Sequence, residues 1–483
     1  MARATKGKKG GGRTAAEMLD RPILAIAVAL RDGSLRVDGL IEEAIARHDR
    51  RGRVLGAYKR WDAAGARAQA TAAAAALAAG SDPGPLAGIP VSFKDIFGIA
   101  GLPTFGGTPR ELPRKWRREG PVVRAMRGQM AVITGKTHTV EFAFGAVGTS
   151  AHWPAPRNPW DAKVHRVTGG SSSGAGVSLA EGSALIAFGT DTGGSVRIPA
   201  GVTGNVGLKT SIGRWPVDGI VPLSSTFDTP GLLTRSVADA AVAFAAVDRT
   251  CAGVDAMMAR AEGLSVAGLR LGICDEHFWD NCSPGVAEGV RAALDELVAR
   301  GARLVRLSLP EATEARTRFV RGALFGVEGL SYIGEEYPDR LDTIDPNIGA
   351  RFDVARKVSA VDYFHEKRKI AELAAMADEK LRSVDALVTP TVPMTPPTVA
   401  EVADPAVYGN ANGLMTQNTQ PVNLLAQCAV TMPVALDAAG MPVGLQLVGR
   451  NGDDERLIAV ALACERALGT ARERLGVPPL CRK

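Results

Sequence analysis

The chain has little of what marks secreted or membrane-spanning proteins. Six cysteines in 483 residues, Cys251, Cys274, Cys282, Cys428, Cys464 and Cys481, make no dense framework, which favours a reducing cytoplasm. No uninterrupted apolar run reaches the roughly 18 residues of a transmembrane helix. The nearest imitation of a signal peptide is a basic start followed by Ile23–Leu30, which runs into Arg31-Asp32 where small residues should mark a cleavage site. That run reads instead as the buried stripe of a first helix. A real excess of one charge is also missing. Lys and Arg number 57 against 51 acids, but residues 1–13 hold Arg3, Lys6, Lys8, Lys9 and Arg13 and no acid, so the other 470 residues carry a formal net charge of only +1. This excludes the basic face of a nucleic-acid binder. The tail has nothing to bury and is expected to be disordered. Glycine, by contrast, is abundant: 55 residues, about 11% where about 7% is usual.

The pattern of apolar runs predicts an α/β fold with a large, mostly parallel sheet flanked by helices. Residues 15–79 read as helical. Short apolar runs at 88–93, 130–134 and 184–189 read as buried strands, with helices at 122–128 and 173–181 between them. A βαβ-like unit spans 269–309, and residues 311–382 read as a polar helical insertion expected to shape the substrate pocket. A strand at 386–389, a hairpin of 430–436 with 443–448 and a helix over 455–468 complete the pattern. No repeat or linker divides the chain, so residues 14–483 are expected to form one domain, with its core at about 60–240 and 420–470.

The glycines cluster where chemistry is expected. Gly169-Gly170-Ser171-Ser172-Ser173-Gly174 and Gly189-Thr190-Asp191-Thr192-Gly193-Gly194-Ser195-Val196-Arg197 are the two dense stretches, and Lys94 ends the apolar segment Pro90-Val-Ser-Phe-Lys. An ammonium in such a setting is costly. Together with Asn158-Pro159-Trp160-Asp161, Gly207-Leu208-Lys209-Thr210 and the segment from Val221 to Gly231, these motifs resemble, in order and spacing, the amidase signature family of serine hydrolases. The resemblance covers about residues 20–240 and resumes at Asn423–Leu447.

That resemblance implies a Ser–cis-Ser–Lys triad of Ser195, Ser171 and Lys94. Ser195 would be the nucleophile, Ser171 the proton relay and Lys94 the base. It also implies an oxyanion hole from the backbone N–H groups of Thr192, Gly193, Gly194 and Ser195, and a stand-alone enzyme without cofactor or metal. Its substrate would be a small aryl or alkyl amide, with carbamates and esters also served. Water would be the co-substrate, neither nucleic acid nor membrane a partner, and a homodimer is compatible. Ala143, Phe144 and Gly170 are the substrate-binding candidates by position. Asp191, Arg197 and Ser172 would brace the loops, and Lys209 is expected to be a structural ion. The chemistry fits these roles: a serine hydroxyl needs a base, and a lysine of ordinary pKa near 10.4 would cost about 4.6 kcal/mol to hold neutral at pH 7. Burial lowers that cost.

Other readings explain less. Gly170–Gly174 also satisfies G-x-S-x-G, which would make Ser172 the nucleophile with His277 or His365 as base, but leaves Lys94 unexplained. Neither glycine loop fits a phosphate-binding pattern. Cys274, His277 and Cys282 offer three zinc ligands without a fourth. His138 stands where the family usually has Asn, and Ala426-Gln427-Cys428 replaces its Gly-Leu-Pro. Within the family, the runner-up is the glutaminase subunit of a tRNA-dependent amidotransferase, disfavoured by Ile198 where those subunits usually have Gln.

Overall fold

The apolar runs assemble into one eleven-stranded sheet in the computed structural model, which describes residues 14–274 and 276–482. The basic tail lies outside the described residues. In chain order the strands are β1 (Tyr58–Trp61), β2 (Pro90–Lys94), β3 (Val132–Thr137), β4 (Ile186–Thr190), β5 (Val206–Lys209), β6 (Pro230–Thr234), β7 (Arg270–Ile273), β8 (Arg303–Arg306), β9 (Ala386–Pro390), β10 (Cys428–Leu436) and β11 (Pro442–Gly449). Their spatial order is β1-β3-β2-β4-β6-β5-β10-β11-β9-β7-β8. The sheet is mixed. Parallel pairs join β2 to β3 and β4, and β7 to β8 and β9, while antiparallel pairs carry the centre from β4 through β6, β5, β10 and β11 to β9.

The sequence explains the layering. Strands β2, β3, β4 and β9 are buried along their whole length, as sheets covered on both faces require. The two edges are short and charged, with Lys59 and Arg60 in β1 and Arg303 and Arg306 in β8, which discourages edge-to-edge pairing. The helix Ile23–Arg31 buries Ile23, Ile26, Ala27, Ala29 and Leu30, the stripe expected of that run. The alanine run forms Ala63–Ala78, whose first turn is capped by the Asp62 carboxylate accepting from the Gly65 N–H.

One expectation fails in the first eighty residues. The stretch read as continuously helical is broken by β1, because Gly56 takes a left-handed conformation (φ 62°) that ends the helix Val37–Leu55 and turns the chain onto the edge of β3. Among the described residues no helix is long and apolar enough to cross a membrane.

The sheet puts the motifs at one end. Lys94 closes β2 and Thr190 closes β4, two parallel neighbours, and the carboxyl ends of parallel strands are where α/β sheets place ligands. The serine loop 169–174 leads into the helix Ala175–Glu181, and the loop after β4 leads into Arg197–Thr203. The helices Pro310–Gly322, Leu324–Glu336, Pro346–Ala355 and Ala360–Leu381 fill the chain between β8 and β9.

Candidate active site

Burial deepens from Ser195 to Lys94. Ser195 borders a cavity of about 160 Å³ and retains 8% exposure, whereas Ser171 and Lys94 retain none. Lys94 Nζ donates to Ser171 Oγ at 2.7 Å and to Thr190 Oγ1 at 2.9 Å. The peptide bond between Gly170 and Ser171 is cis. Ser172 docks the two loops together, its N–H donating to the Ser195 carbonyl at 3.3 Å. Ser195 Oγ has no hydrogen-bond partner among the described residues.

Three buried lysines near this site differ in a way that matters for proton transfer. Lys136 forms an ion pair with Asp95 at 2.8 Å. Lys209 donates to the carbonyls of Thr210 and Gln427, acceptors that can serve only a group carrying hydrogen to give. Lys94 has two hydroxyl partners, which can donate to a neutral amine as readily as accept from an ammonium. No carboxylate lies within 4 Å of it among the described residues. Burial pushes the Lys94 pKa down to about 7, against the opposing pull of Asp228 and Asp191. For Lys209 burial lowers it only to about 8.

The loop carrying Ser195 is built around Asp191. Its carboxylate accepts from the N–H groups of Gly194, Val196 and Arg197, from the Arg197 guanidinium and from Asn423 Nδ2. Burial alone would raise its pKa, but the Arg197 charge, helped by Lys209 and Asn423, holds it well below the usual carboxylate range. Arg197, itself fully buried, also reaches Gln446 Oε1, the Thr419 carbonyl and Asn423 Oδ1. Breaking such a pair leaves an uncompensated buried charge, at a cost of about 3–5 kcal/mol. Arg197→Met is therefore expected to lower the melting temperature by several degrees, and an unchanged melt would contradict this account of the loop.

Of the four amides expected to face a substrate oxygen, Gly194 stands apart. Its N–H donates to Asp191 Oδ1 at 2.8 Å, and so it is spent inside the loop. Those of Thr192, Gly193 and Ser195 have no acceptor among the described residues. The glycines also have reasons the sequence did not supply. Gly194 has φ 125°, and a Cβ there would collide with Thr419 Oγ1. A Cβ at Gly193 would sit 3.0 Å from Phe325 Cε2, in the cavity wall.

Of the three substrate-binding candidates, Ala143 and Phe144 line the cavity and Gly170 does not; its N–H is taken by the Ala146 carbonyl at 2.6 Å. The rest of the wall was not named residue by residue: Leu223, Phe319 and Phe325, with Arg316, Arg351 and Asn412, come mostly from residues 310–355. Asp228 stood out in the sequence only as part of the 221–231 segment. It receives the Thr192 hydroxyl at 2.5 Å and the N–H groups of Leu223 and Ser224, which ties the amide-bearing loop to that segment. Ser172 is fully buried with its Oγ toward the Thr190 carbonyl at 3.5 Å, and His277 Nε2 is engaged with the Gln417 carbonyl; the G-x-S-x-G reading has no base beside its serine. Among the described residues no group of three or more His, Cys, Asp or Glu is placed to hold a metal ion.

Comparison with known proteins matches the Amidase family profile to residues 39–458. The chain belongs to the Amidase family. Among curated relatives, it is 47% identical to a 2-amino-5-chloromuconic acid deaminase of Comamonas testosteroni over 94% of this chain and 97% of that one. It is 33% identical to a glutamyl-tRNA(Gln) amidotransferase subunit of Salinispora arenicola, covering 86% and 90%. Among solved structures, an amidase superposes with a TM-score of 0.82 at 29% identity, over 93% of this chain and all of the other. A peptide amidase bound to the competitive inhibitor chymostatin gives 0.81 at 25%, over 95% and 99%. This Amidase family chain is thus an amide-hydrolysing enzyme with the mixed, helix-flanked sheet of its structural neighbours.

Proposed function

We propose that this member of the Amidase family hydrolyses the C–N bond of a small amide through a covalent acyl-enzyme on Ser195. The observation that carries the reading is Lys94: a lysine without a carboxylate neighbour, bonded to two hydroxyls, with a pKa near neutrality. Ser195 Oγ attacks the carbonyl carbon and gives its proton to Ser171 Oγ, whose own proton passes to neutral Lys94. The carbonyl oxygen becomes an oxyanion facing the N–H groups of Thr192, Gly193 and Ser195, with Gly194 and Asp191 fixing the loop. The relay needs Ser195 Oγ to swing onto Ser171 Oγ, a contact that often tightens only with substrate bound. As the tetrahedral species collapses, the C–N bond breaks and the proton on Lys94 returns through Ser171 to the leaving nitrogen. A water, deprotonated along the same path, then attacks the ester; the Ser195 oxygen leaves and recovers its proton.

The apolar wall of Phe144, Leu223, Phe319 and Phe325 suits an alkyl, alkenyl or aryl acyl group, and the small cavity suits a small molecule. The likeness to a deaminase whose name specifies an amino-substituted carboxylic acid supports a small-molecule substrate and the release of ammonia. The glutaminase-subunit reading draws on a likeness of 33%, below the 47% to the deaminase.

The test is the purified single chain, assayed without partners against small primary amides and glutamine across pH. A base must be neutral to act, so kcat/KM is expected to rise about tenfold per pH unit below about 7 and to level off above. A rate that is flat from acid to alkaline pH would reject Lys94 as the base. Turnover of glutamine alone, and only with added subunits, would favour the amidotransferase reading.

A further inference from the structure

The cavity beside Ser195 contains two cationic side chains with no anion. Arg316, on Pro310–Gly322, and Arg351, on Pro346–Ala355, both line it. Arg316 Nη2 donates to the Gly413 carbonyl at 2.7 Å, but its Nη1 is buried and has no partner. Arg351 Nη1 donates to the Phe144 carbonyl at 2.9 Å, and its guanidinium lies 3.5 Å from the centre of the Phe144 ring. Among the described residues no carboxylate comes within 4 Å of either.

The half-buried arginines of this chain fall into two sets: Arg51 and Arg340, like Arg316 and Arg351, bond to neutral acceptors alone, and others are paired with acids. Arg318, on the same helix as Arg316, pairs with Glu314 and Glu366. Arg214 pairs with Asp248 and Glu455, and Arg450 with Asp378. Charges withdrawn from water are ordinarily paired; what sets Arg316 and Arg351 apart is that both half-buried guanidinium groups line one cavity with no acid in its wall, where an anion on the ligand would complete them. Burial lowers the pKa of both, that of Arg351 to about 10. Each also keeps most of its five N–H donors unspent, in the planar fork that matches a carboxylate.

We infer that Arg316 and Arg351 form a carboxylate-binding subsite, and that the acyl half of the substrate ends in an anionic carboxylate a few atoms from the carbonyl attacked by Ser195. The substrate class is the monoamide of a small dicarboxylic acid, with the dicarboxylate as product. The inference rests on Ser195 as the reacting centre, and so its test includes a binding measurement that needs no catalysis. The cation over Phe144 also gives the apolar wall a second role, since it holds the Arg351 fork at the cavity rather than in solvent.

Calorimetric titration of the full chain carrying Ser195→Ala, so that no amide is turned over, with succinate, glutarate and adipate, and with the matching neutral diamides, is the first arm. That protein, with both arginines intact, is expected to bind at least one dicarboxylate about tenfold or more tighter than its diamide. Arg316→Gln and Arg351→Gln are each expected to remove about tenfold of that preference, with melting temperatures that report whether they fold. Equal affinity for acid and diamide, or a preference untouched by both substitutions, overturns the subsite.

The second arm compares kcat/KM for the monoamides of these acids with primary amides of the same length ending in methyl. The substitutions should cost about 10- to 100-fold on the anionic substrates, chiefly through KM, and under about threefold on the neutral ones. Equal losses on both classes overturn the proposal. Labelling of Ser195 by a fluorophosphonate separates the two ideas. Retained labelling with no acid preference defeats the subsite alone. Acid binding with no labelling of Ser195 upholds the subsite and defeats the nucleophile.

Discussion

Replacing Ser195 with alanine is expected to lower kcat/KM by on the order of a millionfold, the scale seen when the nucleophile of a serine hydrolase is removed. The residue is at the step in the burial gradient where a hydroxyl meets the cavity: Ser171 and Lys94 behind it have no exposure at all. Nothing described hydrogen-bonds to its Oγ, so the substitution removes no native contact of that oxygen. Stability should therefore change little, and the loss should be confined to chemistry. A fluorophosphonate should label the wild type at Ser195 and leave Ser195→Ala unlabelled. Equal labelling of both proteins would place the nucleophile elsewhere in the loops, and the assignment would fall.

Lys94→Met, which keeps the length and most of the volume of the side chain, should lose about 10²- to 10⁴-fold in the same parameter, the range of a general base. Here stability should move too, and in the opposite direction. The lysine titrates near 10.4 in an unfolded chain and at about 7 when folded. A depressed lysine pKa penalises the folded state fully below about 7, and the penalty fades as the pH rises toward about 10. Lys94→Met should thus be more stable than the wild type at neutral and acid pH, by on the order of a few kcal/mol, with the two curves converging in alkali. A dead variant that is also less stable at pH 7 would indicate a structural ion, not a base held ready at a thermodynamic cost.

The parts of the site visible in the sequence are those packed into short stretches of chain. Lys94 ends an apolar strand, and the two glycine-serine loops announce themselves by composition, so the residues that meet at the ends of β2 and β4 could be named in advance. Local patterning also placed β2, β3, β4, β9 and the β10–β11 hairpin to within about two residues at most ends. It missed β1, since Tyr58-Lys-Arg-Trp61 is short, charged and set between helices, and only Gly56 hinted at a break. It left β5 and β6 as motifs, because four or five residues carry no clear period.

The cavity wall was hidden for a different reason. Phe319, Phe325, Arg316 and Arg351 lie on amphipathic helices more than a hundred residues beyond Ser195, and nothing local distinguishes an arginine facing a cavity from one facing water. Gly170 was misplaced by adjacency, since being next to Ser171 in sequence did not put it at the cavity. Gly194 was misread because the amide pattern alone cannot show that Asp191 takes one of the four donors. The signal that could have helped was the acid itself: an Asp three residues before Gly194, in a loop with no nearby solvent-exposed role.

The web around Asp191 also bears on how the protein is made. The loop holding Ser195 is complete only when Thr419, Asn423 and Gln446 have joined Arg197 and Asp191. A chain emerging from the ribosome displays both serine loops, Lys94 and the Asp191–Arg197 ion pair before it has the neutral groups that take the remaining donors of Arg197, the last of which, Gln446, lies in β11. The nascent chain therefore carries Lys94, Ser171 and Ser195 before the loop that holds Ser195 has all its contacts, and those contacts wait on residues from the far end of the sheet.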